Sequence, residues 1–272
     1  MTELLRVKDL TVRYAGSDYL AVDSVSLEIE RGEVLGIVGE SGSGKTSVGL
    51  ALLGVLPNSA RVTGSVEFEG QELLGLSEDK MRALRGSQLS TIMQNASTAL
   101  DPCYTIGNQF VELLRQHRQL SRSEARDEAL AWLKKVGIPA TRSHLRAYPH
   151  EFSGGMNQRV VIAMNLALRP KLVVADEPTS ALDVTVQAAV LKLLRALCDE
   201  SATGMLLVTH DLGVVAQLCT RVIVMKSGAV VETNTVHDLF AHPEHAYTRS
   251  LLDSLPGRRG LRADTPVSVV KS

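Results

Sequence analysis

Residues 39–46 read GESGSGKT and fit the spacing GxxxxGK[ST] of a phosphate-binding loop. The loop directly follows the apolar run VLGIV and precedes SVGLALLGVL, a strand-to-helix context that this motif requires. Gly39, Gly42 and Gly44, with Glu40, Ser41 and Ser43 between them, let backbone N–H groups converge on phosphate oxygens. Lys45 adds a positive charge at the β- and γ-phosphates, and the Thr46 hydroxyl is placed to ligate Mg²⁺. A second chemical stretch is LVVADEPTSALD, residues 172–183. Asp176, closing an apolar run, can hold Mg²⁺ directly or through water, and Glu177 can orient an attacking water or accept its proton. Two adjacent carboxylates repel, and Mg²⁺ with Lys45 would offset that repulsion; alone, the same pair reads equally well as a solvated turn.

Further residues carry the same chemistry by placement. His210 follows the apolar run in LLVTHD, and Gln94 follows LSTIM. In a parallel sheet both would lie at the carboxyl edge used by the phosphate loop, where open α/β sheets bind ligands. His210 is thereby offered to a γ-phosphate and Gln94 to Mg²⁺ or water, although a glutamine there is also an ordinary surface residue. Tyr14, at the end of an alternating run, can stack on adenine or simply pack. EFSGGMNQR, residues 151–159, offers the Ser153 hydroxyl and the Gly154 and Gly155 N–H groups at the start of an apolar helix. The chain therefore carries two phosphate-facing loops, and only the first is complete.

The elements that must position these residues follow from periodicity. Leu5, Val7, Leu10 and Val12, then Val25, Leu27 and Ile29, predict two half-buried antiparallel strands, with Arg31-Gly32 turning out of the second. Residues 34–38, 89–93, 171–176, 205–210 and 221–226 are short continuous apolar runs, the pattern of strands buried on both faces of a parallel sheet. Between Asn95 and Arg169 the character turns helical, over Ile106–Arg118, Arg122–Val136 and Gly155–Leu168, with GIP at 137–139 as a stop. Ser227-Gly228 predicts a hairpin, and a short helical tail follows about Asp238 before a polar end containing PGRRG. The expected fold class is α/β, with a mostly parallel sheet at its core, an antiparallel β subdomain and an inserted helical subdomain.

The 272 residues, 44% hydrophobic, suffice for a substantial core. A net charge of −1 gives no basic field and argues against nucleic acid as a partner. Cys103, Cys198 and Cys219 are widely spaced, with neither metal-ligand spacing nor a disulfide framework, which fits a reducing compartment. The charged N-terminus MTELLRVKDL is unlike a signal peptide, and no apolar run approaches the roughly 20 residues of a membrane span. The expectation is a cytoplasmic chain that meets any membrane through a partner.

The order GESGSGKT, FSGGM, DEPTSALD, THD resembles the ATP-binding cassette (ABC) ATPases along nearly the whole chain. The resemblance implies a P-loop NTPase core over residues 1–240, with the helical insertion at about 95–169 and a short tail at 241–272. It implies ATP and Mg²⁺ as ligands, and two cassettes paired head to tail, each serine-glycine signature capping the ATP held by the other's P-loop. Ser153, Gly154 and Gly155 would then act in trans, Asp183 would lie between the two sites, Glu177 would be the catalytic base and Tyr14 the adenine-stacking aromatic. Gln94 would couple ATP to the helical insertion. The signature departs from the commoner LSGGQ at Phe152 and Met156, and Asn157 replaces a frequent basic residue. The implied partners are a second ATPase subunit, identical or related, two integral membrane permeases and an extracytoplasmic substrate-binding protein. The implied place is the cytoplasmic face of the inner membrane.

TIMQNASTALDP, AYPHEFSGGM and HPEHAYTRSLL are similar to the importer branch for peptides and nickel or its chelates, with IMQNAS closer to the nickel and metallophore members. Two other readings of the motifs are a soluble cassette protein acting in DNA repair or on ribosomes, and a nucleotide-binding regulator without turnover. The first usually shows tandem cassettes, coiled coils or basic surfaces, none of which this sequence has; against the second stand Lys45, Gln94, Glu177 and His210 together.

Overall fold

The apolar positions Leu5 and Val7 are odd and Leu10 and Val12 even, so a regular strand would point the pairs to opposite faces. A computed structural model, describing residues 3–94 and 96–254, resolves this with a bulge. β1 (Glu3–Arg13) pairs antiparallel with β2 (Val22–Glu30), and the register shifts between Val7 and Leu10 around Asp9, whose φ is +48°. All four side chains are then buried together. After the Arg31-Gly32 turn comes β3 (Val34–Val38), buried at every position, then α1 (Lys45–Leu52).

β4 (Arg61–Phe68) pairs with the other edge of β1 and forms a hairpin with β5 (Gln71–Glu72), giving the antiparallel order β2-β1-β4-β5. These two strands escaped the sequence reading because Gly64 interrupts the alternation of Val62, Val66 and Phe68. Gly64 faces the β1 bulge, where a Cβ would stand 2.6 Å from the Asp9 and Lys8 carbonyl oxygens. The bulge and the glycine therefore come as a pair.

The second sheet has the order β10-β9-β3-β8-β7-β6. Past α2 (Glu78–Leu84) lies β6 (Leu89–Ile92), and the helical insertion follows as α3 (Ala96–Ala99), α4 (Ile106–His117), α5 (Arg122–Lys135), α6 (Arg142–Arg146) and α7 (Gly154–Ala167). Thr105, Ser121, Thr141 and Ser153 cap α4 to α7 through their hydroxyls, and Ser121 with Glu124 forms a capping box. β7 (Leu172–Asp176), α8 (Val184–Ser201), β8 (Gly204–Thr209), α9 (Leu212–Leu218) and β9 (Arg221–Lys226) complete the parallel part. β10 (Ala229–Thr235) returns antiparallel through the expected Ser227-Gly228 turn. α10 (Val236–Ala241) and α11 (Ala246–Asp253) form the expected helical tail, while the PGRRG end lies outside the described residues.

Both faces of the sheet are covered, which is why its strands read as unbroken apolar runs. Val173 and Ala175 of β7 join a cluster with Ile92, Phe110, Leu114, Leu133, Val160 and Leu194, so the insertion and the sheet share one core. Leu172 and Val174 face the other way, among Leu35, Val48, Phe68 and the β1–β2 residues. A third cluster joins Leu239, Tyr247 and Leu252 to Val38, Leu212, Val222 and Val224. Among the described residues no helix is long and apolar enough to cross a membrane.

Candidate nucleotide site

Strand register gathers the dispersed motifs. Val38 lies opposite Thr209 and Val224, Asp176 opposite Val208, and Ile92 opposite Ala175. The carboxyl ends of β6, β7, β8 and β3 thus form one edge, and Gln94, Asp176, His210 and Gly39 sit at or just past it. Glu177 extends this edge by one residue. Its N–H donates to the Val208 carbonyl at 2.8 Å, and its φ of +45° holds it in the left-handed region. A glutamate there stores on the order of 1 kcal/mol or more of backbone strain, held by its N–H bond to β8 and by the Ser180 N–H, which donates to its carbonyl. Its Oε1 lies 2.6 Å from Nδ1 of the exposed His210, while the Glu177 side chain itself is largely buried.

The loop before α1 owes its shape to two glycines. Gly39 has φ +157°, and a Cβ there would meet the Met225 carbonyl oxygen at 2.2 Å; Gly44 has φ +99°, and a Cβ would meet the Ala21 carbonyl oxygen at 2.1 Å. No other residue fits either place. Gly44 is also the N-cap of α1 and supplies no side-chain cap, leaving the first N–H groups of that helix to an anion. Lys45 is buried, its Nζ donating to the Gly39 carbonyl at 2.8 Å, the Glu40 carbonyl at 2.7 Å and Ser43 Oγ at 3.2 Å. Burial lowers the Lys45 pKa, opposed by the carboxylates of Glu177, Asp176 and Glu40.

Asp176 is pushed above the usual aspartate range, first by burial and also by Glu177, against the pull of the Thr46 hydroxyl and Lys45. A half-buried carboxylate bonded to a hydroxyl, costly to ionise alone, suits a hard divalent cation such as Mg²⁺. Among the described residues no group of three or more His, Cys, Asp and Glu could hold a metal by itself. A cation at Thr46 and Asp176 therefore needs oxygens from phosphate or water as well.

The remaining candidates lie apart or serve locally. Tyr14 follows β1 and is half-buried, its hydroxyl 3.0 Å from Ser47 Oγ on α1, which keeps the ring beside the P-loop helix. Gln94 is exposed, two residues past β6. Ser153 caps α7 by accepting the Met156 N–H at 3.3 Å; Ser153 and Gly154 are exposed, and Gly155 is pressed to α8, where a Cβ would meet Val186 Cγ1 at 2.5 Å. Among the described residues no hydrogen bond or ion pair joins this signature to the P-loop. Asp183 caps α8 by accepting the Val186 N–H at 3.0 Å, beside Val184, whose side chain stands 83% exposed.

Two residues near the site escaped the sequence reading. Asp211 caps α9 through the Gly213 and Val214 N–H groups at 2.7 and 3.3 Å and receives Gln187 Nε2 at 3.4 Å, so it ties α8 to the turn that carries His210. An aspartate just before an apolar run was a legible cap signal. The hydroxyl of Tyr247, more than 200 residues downstream, accepts the Glu40 N–H at 3.0 Å. No local pattern announces that contact.

A glycine-shaped phosphate loop with its lysine, a metal-suited aspartate and a glutamate–histidine pair, all at one edge of a parallel sheet, define a nucleoside triphosphate hydrolase. Residues 22–180 match the ABC transporter family, and the chain belongs to it. It is 48% identical over 260 residues to a probable peptide ABC transporter ATP-binding protein, y4tR, of Sinorhizobium fredii, covering 94% of this chain and 78% of that one. It is 46% identical over 255 residues to the oligopeptide transport ATP-binding protein OppD of Escherichia coli, covering 93% and 76%. Among solved structures, the ATP-binding cassette MJ0796, in a dimeric post-hydrolysis state bound to ADP and phosphate, superposes with a TM-score of 0.75 at 28% identity, covering 86% of this chain and 99% of that one. The expected ABC ATPase fold is thus met, and the protein is an ATPase that uses ATP with Mg²⁺ and couples hydrolysis to transport. The relatives named here are peptide transport proteins, and the nickel expectation finds no support in them.

Proposed function

We propose that this chain is the ATP-hydrolysing subunit of an importer for di- or oligopeptides. The observation that carries the reading is the Glu177–His210 contact of 2.6 Å beside a buried Lys45, at the edge where Thr46 and Asp176 meet. In this reading residues 39–46 cradle the triphosphate, Tyr14 stacks on adenine, and Thr46, Asp176 and Gln94 hold Mg²⁺, which when bound offsets charge on the phosphates. Glu177 takes the proton of the attacking water, and His210 orients its carboxylate and contacts the γ-phosphate. Supporting the peptide cargo are the peptide relatives that cover more than nine-tenths of this chain.

The exposed Ser153 and Gly154 serve a second cassette's ATP, and Asp183, with the bare Val184 beside it, faces the same partner. Charge-assisted bonds to a γ-phosphate vanish when that phosphate leaves, so hydrolysis loosens the pair. Two permeases dock on the insertion near Gln94, where Met93 and Tyr104 are exposed at 38% and 57%. An extracytoplasmic binding protein delivers cargo to them, and the subunit works at the cytoplasmic membrane face. The test is reconstitution with the permeases: peptide-loaded binding protein should stimulate ATP hydrolysis, and stimulation by nickel or a nickel chelate in its place would overturn the cargo.

A further inference from the structure

The stretch HPEHAYTRSLL, residues 242–252, belongs to none of the phosphate-binding motifs, yet it packs back onto the nucleotide edge. Glu232 on β10, only 7% exposed, accepts the Glu244 and His245 N–H groups at 3.0 and 2.9 Å and so pins the start of α11. His245 Nδ1 accepts the Tyr247 N–H at 3.1 Å, and Arg249 closes the turn on the Pro243 and Glu244 carbonyls at 3.0 and 2.9 Å. Tyr247 and Leu252 are buried in one cluster with Val38, the last residue of β3 before the P-loop, and with Val224 opposite it on β9, with Lys226 Nζ 4.8 Å from the Tyr247 ring centre. The strap is thus held at both ends, and Tyr247 is delivered to a fixed place.

At that place its hydroxyl accepts the Glu40 N–H at 3.0 Å. That N–H and the Gly39 carbonyl belong to the same peptide plane, and the carbonyl accepts Lys45 Nζ at 2.8 Å. One peptide is therefore engaged from both sides, by the lysine charge and by the phenol. The plane hinges on Gly39, whose φ of +157° is open to glycine and which has no side chain to brake rotation. Its hydrogen bonds hold it, beside the Met225 backbone that crowds Gly39.

We propose that Tyr247 is a positioning residue of the nucleotide site: through the Glu40 N–H it fixes the 39–40 peptide plane and thereby the carbonyl that aims Lys45. Without the hydroxyl the Glu40 donor is left unpaired in a half-buried position, the plane turns toward water, and Lys45 loses one of its carbonyl anchors. ATP then has to order a loop that the strap now holds ready. The proposal rests on the reading of residues 39–46 as the ATP loop.

The test uses the full chain with Tyr247→Phe, which keeps the ring, its cluster and the Lys226 contact and removes only the hydroxyl. The Kd for ATP should rise about two- to tenfold, the worth of one hydrogen bond, with little change in the thermal midpoint. Amide exchange at Glu40 should quicken while exchange at Val38 stays as in the wild type. Leu252→Ala, which opens a gap under α11 and leaves the hydroxyl alone, should lower stability and leave the Kd unchanged. An unchanged Kd in Tyr247→Phe overturns the proposal, as does a raised Kd without faster exchange at Glu40, or an equal rise in Leu252→Ala. Lys45→Ala, measured beside them, separates the two layers. If it binds ATP weakly while Tyr247→Phe binds normally, only the strap proposal falls; if it binds ATP like the wild type, the loop reading falls and takes the proposal with it.

Discussion

The P-loop edge and the signature at the start of α7, both assigned to phosphate in the function proposed above, are finished to different degrees. At the edge most groups are answered within the chain: Lys45 by two carbonyls and a hydroxyl, Glu177 by His210 and the β8 backbone, Gly39 and Gly44 by backbone packed close around them, with the first N–H groups of α1 left open. At the signature Ser153 answers only its own helix, and Ser153 and Gly154 stand in solvent. A self-supporting half-site next to a bare one is what a shared pocket requires of each subunit. In the function proposed above, the first binds nucleotide by itself and the second serves a neighbour's.

The contrast is broken most severely by Glu177→Gln, which should cut turnover about 10²- to 10⁴-fold, the usual worth of a general base, while ATP stays bound and dimers accumulate. Phosphate release with size-exclusion chromatography reads both, and near-normal turnover would remove Glu177 from its role. Ser153→Arg attacks the other half: turnover should fall about 10²-fold, as for loss of one preorganised donor, with ATP binding to the isolated subunit unchanged. A normal rate in that variant would mean that the signature is not shared. Lys45→Ala should weaken ATP binding about 10- to 100-fold, measured by titration, since it removes a charged hydrogen-bond partner. The smallest effect is on the empty subunit. Because burial raises the Asp176 pKa above its unfolded value, its contribution to stability is present below the ordinary aspartate range and lost as pH rises through the raised value. Melting curves between about pH 4 and pH 7 should show that loss in the wild type and not in Asp176→Asn. An identical profile in both would show that Asp176 ionises freely in the empty site.

Much of this was legible in the sequence because the core strands are buried on both faces, and Val34–Val38, Leu172–Asp176 and Gly204–Thr209 announce themselves as apolar runs. Their carboxyl ends then place Gly39, Asp176 and His210 without further information. What could not be read was set by distant contacts. β4 was hidden by Gly64, whose reason is a bulge 55 residues earlier at Asp9, and Tyr247 reaches Glu40 across |i−j| = 207. Asp183 shows a different limit: the family resemblance implied a place between two sites, while its side chain caps α8, a local duty that leaves its outward role to be tested.

The apolar cluster running from Phe110 and Leu133 through Val160 to Val173 and Ala175 has a mechanical consequence. Any motion of these helices against the strands has to repack the seam beneath β6 and β7, because so dense an interior is bistable rather than continuously deformable. That seam includes Ala175, so a repacking started in the insertion would reach the residue next to Asp176.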